Sequence, residues 1–189
     1  MSRVFITGTG LISSLGNSPR ELFDALCANR TGVCRMQGWD QYVGLKSYVG
    51  APAVPYDSES IDRTVRRTMS PMSMMGLLAA RQALAQAGIS YPVGEAHRTA
   101  MCLGSTTGSP QSMYAFFKKL IETGGPRGQL GTAFFRTMNH TVAANVAIGL
   151  GLRGAVTAPA AACCTATQTL AVAWELLQTG LYDVVIAGG

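Results

Sequence analysis

Two adjacent cysteines, Cys163 and Cys164, stand where a stretch of small residues, GAVTAPAAA, gives way to a helical pattern, TATQTLAVAWELLQTG. A thiol at such a bend lies over the first turn of a helix. The free N–H groups there, and the positive end of the helix dipole, favour the thiolate, which is the nucleophilic form. The same N–H groups can hold the oxyanion that develops when a thiolate adds to a thioester. Ala160, Ala161 and Ala162 leave room for an incoming chain. The residues alone leave three readings open. One member of the pair is a nucleophile, or both are small hydrophobes in a tight turn, or the two form a strained vicinal disulfide.

Other chemistry finds less support. Residues 8–13, GTGLIS, carry two glycines of a dinucleotide-binding fingerprint, but Ser13 stands where the third belongs. No GxSxG serine-hydrolase elbow occurs. The five cysteines, Cys27, Cys34, Cys102, Cys163 and Cys164, include no CxxC pair, and His97 and His140 are the only histidines. No metal site and no cofactor are therefore expected. The odd cysteine count and the lack of a secretory signal in MSRVFITGTG point to a cytoplasmic protein with free thiols.

The net charge is +5, carried in large part by Arg63, Arg66, Arg67, Lys118, Lys119, Arg127 and Arg136. These residues lack interleaved aromatics, so nucleic acid is not the expected partner. Ordinary solvated surface and an acidic protein partner both fit. Only 13% of residues are charged against 48% hydrophobic, which suggests burial on several sides or a large interface. No run approaches the roughly 18 apolar residues of a membrane span.

The elements that would position the cysteines follow from the pattern. Residues 3–7 and 99–103 read as buried strands, and residues 154–160 and 182–187 as a third and a fourth strand. Residues 19–29 read as a helix with Ser18 as N-cap and Pro19 at its first position. Residues 68–88 give the clearest helix, with Met75, Leu78, Ala79, Gln82 and Ala83 at helical spacing. Met69, Met72, Met74 and Met75 are read as core filler. Further helices are expected at 110–123, 139–150 and 164–179. The last is apolar nearly all round and so should be buried. Residues 31–62 read as an irregular surface or interface segment. Alternating strands and helices predict an α/β fold with a mixed, mostly parallel sheet covered by helices. The chain is expected to form one half-domain over 1–189, cut short after its fourth core strand.

AACCTATQ, an apolar helix and then LYDVVIAGG resemble the active-site segment of β-ketoacyl-acyl-carrier-protein synthases. RVFITGTGLISSLGNSPRELFDAL, LAARQALAQAGI, LGSTTGS and NHTVAANVAIGLGLRG are similar to that family's earlier segments, in the same order. The resemblance covers essentially the whole chain and implies a thiolase-like half-domain with strand order 3-2-1-4. Gln168 and the distance to Gly188-Gly189 make Cys163 the match to the family's nucleophile. Cys164 then falls where Ser, Thr or Ala is usual.

The resemblance also implies the other site residues. Thr107 would lie at the floor of the acyl pocket. Phe134, Phe135 and Met138 would line the pocket of a neighbouring subunit, with plain core packing as the alternative. Arg63, Arg67 and Arg127 would meet an acidic acyl carrier protein. A homodimer, or a pair with a related ketosynthase subunit, would form around strand 154–160. The implied reaction loads an acyl chain from the carrier onto Cys163 for decarboxylative condensation with a malonyl thioester, in fatty acid or polyketide synthesis. The family's second half carries two histidines, an HGTGT-like segment with a lysine and a gating loop. This sequence has none of them, so by itself it would be acylated without condensing. A thiolase-type acyltransferase and a non-catalytic partner or fragment are the competing expectations.

Overall fold

The computed structural model describes residues 3–189. At its centre is β3 (Thr99–Leu103), in which Thr99, Ala100, Met101 and Cys102 are all buried. It pairs in parallel with β5 (Val184–Gly188) on one side and with the short β4 (Val156–Thr157) on the other. Arg98, just before β3, ties the start of β5 by donating two hydrogen bonds to the Asp183 carboxylate. That contact holds the Asp183 carboxyl below the usual carboxylate range.

Two helices pack together and cover one face of the sheet. They are α3 (Pro71–Gln86), capped by Ser70, and α6 (Thr141–Leu150). Leu77, Leu84, Val142, Val146 and Leu150 close over Met101 to form the core. Met69 is buried there, and Met72 and Met74 pack against it as gap-filling methionines do, whereas Met75 is half-buried outside this core. The other face carries α7 (Thr165–Gln178), which packs on β5 and β3. The remaining elements are peripheral. They are α1 (Pro19–Cys27) with its Ser18 cap, the two-residue antiparallel β1 (Cys34–Arg35) and β2 (Val49–Gly50), α2 (Arg63–Arg66), α4 (Pro110–Glu122) and α5 (Gly131–Phe135).

Four expectations need correction. First, residues 3–7 are exposed and belong to no sheet. The sheet order is β4-β3-β5, so strand 184–188 lies directly beside 99–103 and the order 3-2-1-4 does not hold. Because β5 occupies that neighbouring position, the N-terminal segment instead runs along α3. Thr9 donates from its amide and hydroxyl to Gln86 Oε1 at 2.8 and 3.0 Å, and the Leu11 amide donates to Gln82 Oε1 at 3.1 Å.

Second, α3 buries Ser73, Leu77, Ala80 and Leu84 rather than the face centred on Leu78 and Ala79. The latter face meets the N-terminal segment. Its approach is so close that a Cβ on Gly8 would lie 1.9 Å from the Ala83 carbonyl oxygen, and one on Gly10 would lie 2.0 Å from that of Ala79. Third, α7 is not buried all round. Thr165, Thr169 and Ala173 are buried, whereas Leu170 and Trp174 are 52% and 41% exposed. Small side chains at i, i+4 and i+8 let the helix sit close to the sheet, and the bulky ones point away from it. Fourth, the expected strand 154–160 shortens to Val156–Thr157, because the chain leaves β3 to form the cysteine turn.

Gly8→Ala is expected to destabilise the fold by about 2 kcal/mol, since the added methyl meets helix backbone that cannot yield. Gly125→Ala has open space around it and should change stability by less than about 0.5 kcal/mol. Urea unfolding midpoints of the two variants test this contrast.

Candidate active site

The two cysteines lie on a 3-10 turn, Ala162–Cys164, immediately before α7. The turn stands at the C-terminal end of the parallel strands, the edge at which open α/β sheets bind their ligands. Both thiols are free and exposed. By contrast Cys102 is buried inside β3, and burial pushes its thiol up. Neither cysteine of the pair is buried, and no disulfide joins them.

Three features shape the turn. Thr165 staples it: its hydroxyl accepts from the Ala161 amide at 2.9 Å and donates to the Ala162 carbonyl at 2.8 Å. Ala162 adopts φ +49, in the left-handed region that a residue with a Cβ rarely enters. Such local strain persists only where surrounding structure holds it. Gly104, the residue after β3, lets the turn settle onto the sheet. A Cβ at Gly104 would lie 2.3 Å from the Pro159 carbonyl oxygen and 2.5 Å from the Thr165 methyl. Neither Thr165 nor Gly104 stands out in the sequence as part of the site. The glycine's position directly after a buried strand was the only available signal.

His140 occupies the N-cap position of α6 and is exposed. His97 lies before β3, at the opposite end of the strand from the cysteine turn, and its imidazole is 3.8 Å from the Glu95 carboxylate. Among the described residues no group of three His, Cys, Asp or Glu side chains could hold a metal ion.

The remaining candidate residues fall into separate places. Thr107 is exposed in the loop after β3, where its hydroxyl donates to the Gly108 carbonyl at 3.1 Å. Phe134 and Phe135 end α5 and are 50% and 54% exposed, so they are not core packing. Phe134 meets the Phe116 ring with centroids 5.8 Å apart, and Met138 is half-buried. Two surface cavities are lined by neither Cys163 nor Thr107. One of them, of about 280 Å³, is walled by Arg63, Arg66, Arg67 and Arg136. It gathers two of the expected carrier-facing arginines and adds Arg66 and Arg136, which the resemblance did not assign to the carrier. Arg66 was legible from spacing, since RTVRR puts residues 63, 66 and 67 on one helix face. Arg136 reaches the cavity from a distant part of the chain. Arg127 is exposed on the loop between α4 and α5 and does not line this cavity.

The comparisons with known proteins agree with the geometry. A family model described as "Beta-ketoacyl synthase, N-terminal domain" matches residues 1–189. The chain is 33% identical to 3-oxoacyl-[acyl-carrier-protein] synthase 1 of Haemophilus influenzae, over 100% of its own length and 46% of the relative's. It is 30% identical to nodulation protein E of Rhizobium meliloti, over 99% of its length and 46% of that protein's. The crystal structure of a β-ketoacyl synthase from Burkholderia phymatum superposes with a TM-score of 0.91 at 31% identity, covering 100% of this chain and 47% of that one. The chain thus spans about half the length of the relatives it matches. Among the described residues no helix is long and apolar enough to cross a membrane.

Brief alkylation of the native protein, followed by peptide mapping, should modify Cys163 and Cys164 while sparing Cys102 until denaturant is added. Labelling of Cys102 at a rate matching the turn cysteines would contradict the burial described here.

Proposed function

The chain belongs to the β-ketoacyl synthase family, matching its N-terminal domain, and we propose that it supplies the acyl-accepting nucleophile, Cys163, of a condensing enzyme. The observation that carries this reading is the exposed thiol on a strained, stapled turn at the start of α7 and at the C-terminal edge of the sheet. The Cys163 thiolate adds to the carbonyl carbon of an acyl thioester. The carbonyl electron pair moves to oxygen, and backbone N–H groups at the turn are suited to hold that oxyanion. Collapse of the intermediate expels the thiolate of the donor and leaves the acyl group on Cys163. Cys164, next in the turn, is not needed for this exchange.

The later step, decarboxylative condensation with a malonyl thioester in fatty acid or polyketide synthesis, needs groups that this sequence does not supply. It requires the histidines of the family's second half. The outer face of α7, with Leu170 and Trp174, and the exposed Val4, Phe5 and Ile6 are apolar surfaces suited to being covered by further protein. This supports a role in which the domain is acylated here and condenses only as part of a larger assembly. The edge strand β4, with Val156 45% exposed, suits pairing across a two-fold axis with a second subunit. Phe134, Phe135 and Met138 would then contact the neighbour's acyl pocket, and Thr107 would border the acyl chain. A cytoplasmic location accompanies this reading.

The acyl donor is proposed to be an acidic acyl carrier protein. Arg63, Arg67 and Arg127 are exposed cations, and none of their side chains is engaged in an ion pair among the described residues. Exposed charges of this kind steer encounter and orientation, and salt screens them.

Two outcomes are expected. In the intact protein, an acyl thioester should leave its adduct on the Cys163 peptide. Cys163→Ala should lower transacylation by at least about a hundredfold, as expected for loss of a nucleophile, while Cys164→Ser retains most of it. An adduct on Cys164 with Cys163 free would overturn the assignment. The pair Arg67→Glu and Arg127→Glu should slow carrier-delivered acylation about tenfold at low salt, with the effect shrinking as salt rises. Reaction with a small thioester should be spared, and equal loss with both donors would exclude a docking role.

A further inference from the structure

The arginine-walled cavity is a separate feature from the cysteine turn. Three of its cations come from one helix face. Arg63 and Arg66 lie in α2, Arg67 caps it, and the i, i+3, i+4 spacing brings them to one side. The fourth, Arg136, follows α5 and is held across the gap by donating from a terminal nitrogen to the Arg67 carbonyl. The cavity's walls contain no carboxylate. Arg66 is the exception in being compensated, through its hydrogen bonds to Glu59 and to the Ser58 carbonyl. The carboxylate of the adjoining Asp62 is occupied by the Thr64 amide and hydroxyl.

Arg63 and Arg67 therefore present uncompensated guanidinium groups. The Arg136 Nε is buried and has no hydrogen-bond partner among the described residues. Buried donors are nearly always satisfied, and leaving one unpaired is costly. Three cations without carboxylate partners, Arg63, Arg67 and Arg136, converging on about 280 Å³ raise that cost unless an anion neutralises them. Guanidinium forks match tetrahedral oxyanions, because parallel N–H donors bind two oxygens at once. A carboxylate offers two oxygens in one plane. A phosphate group offers three or four around a centre and can be shared by donors arriving from two elements.

We propose that Arg63, Arg67 and Arg136, with Arg66 behind them, form a phosphate-binding site. This goes beyond acylation at Cys163 and does not depend on it. It shares Arg63 and Arg67 with the proposed carrier surface but rests on Arg136, which that surface does not use. The phosphate can be free or can be the phosphodiester of a carrier's prosthetic group.

Titration of the full chain with inorganic phosphate by calorimetry, at ionic strength held constant with sodium chloride, tests the site. Saturable binding of one equivalent is expected. Arg136→Gln should weaken it about tenfold, the scale of one charge-assisted hydrogen bond, and Arg63→Gln should weaken it similarly. Arg153→Gln, an exposed arginine outside the cavity, should leave it unchanged. Circular dichroism melts confirm that each variant is folded, and Arg63→Gln, at an exposed position, serves if Arg136→Gln is not.

A carrier bearing its phosphodiester group that binds more tightly than the same carrier without it, with the advantage lost in Arg136→Gln, assigns the phosphate to the carrier. Equal binding of the two carrier forms, with inorganic phosphate still saturating, assigns it to a free phosphate. Absence of saturation, or an equal loss in Arg153→Gln, overturns the proposal. Failure of the carrier-docking test with phosphate binding intact would remove the docking reading and leave this one standing.

Discussion

The close approach of the cysteine turn to the end of β3 is the constraint on which the rest of this structure depends. β3 is buried on both faces and paired on both edges, so its direction is fixed by the whole core. Directly beyond it, Gly104 admits the Pro159 carbonyl and the Thr165 side chain at distances no Cβ would tolerate. The turn is thus clamped from below by the sheet and from within by Thr165, which bonds both Ala161 and Ala162. That clamping explains how Ala162 is kept at a positive φ and how Cys163 is presented at the edge of the molecule rather than folded into it. For the nucleophile proposed at this turn, placement on rigid elements rather than on a free loop is what reproducible attack geometry requires.

The same closeness dictates the character of α7. A helix resting on a sheet through threonine and alanine can approach nearly to backbone contact. Its leucine and tryptophan side chains are then displaced to the far side. The apolar outer face is a consequence of a tight inner one, and it belongs with the exposed apolar residues near the N-terminus. Both are apolar surfaces suited to being covered by further protein.

Charge is distributed by a different logic. The compensated pairs, Arg98 with Asp183 and Arg66 with Glu59, tie elements together. Arg63, Arg67, Arg127 and Arg136 are left without carboxylate partners. For the exposed Arg63, Arg67 and Arg127 the absence of partners costs the fold little, since surface pairs contribute little to stability, whereas the buried Nε of Arg136 is left unsatisfied. The absence of partners leaves cations available to anionic ligands.

The sequence by itself determined the order and type of most elements. Apolar runs ending in glycine marked β3 and β5, a serine–proline cap marked α1 and helical periodicity marked α3, because these signals are local. It also singled out the Cys163–Cys164 bend, where a change of period from strand to helix falls on two thiols. Only the tertiary structure decided which neighbours those elements took. Residues 3–7 have a strand's composition, yet β5 fills the place beside β3, and pairing is settled by competition among distant segments. The buried face of α3 and the exposed face of α7 were undetermined for a related reason. Both helices are apolar on more than one side, so periodicity cannot choose between faces. Gly104, Thr165 and Arg136 act through contacts with residues far along the chain, and no spacing within one segment could have revealed them.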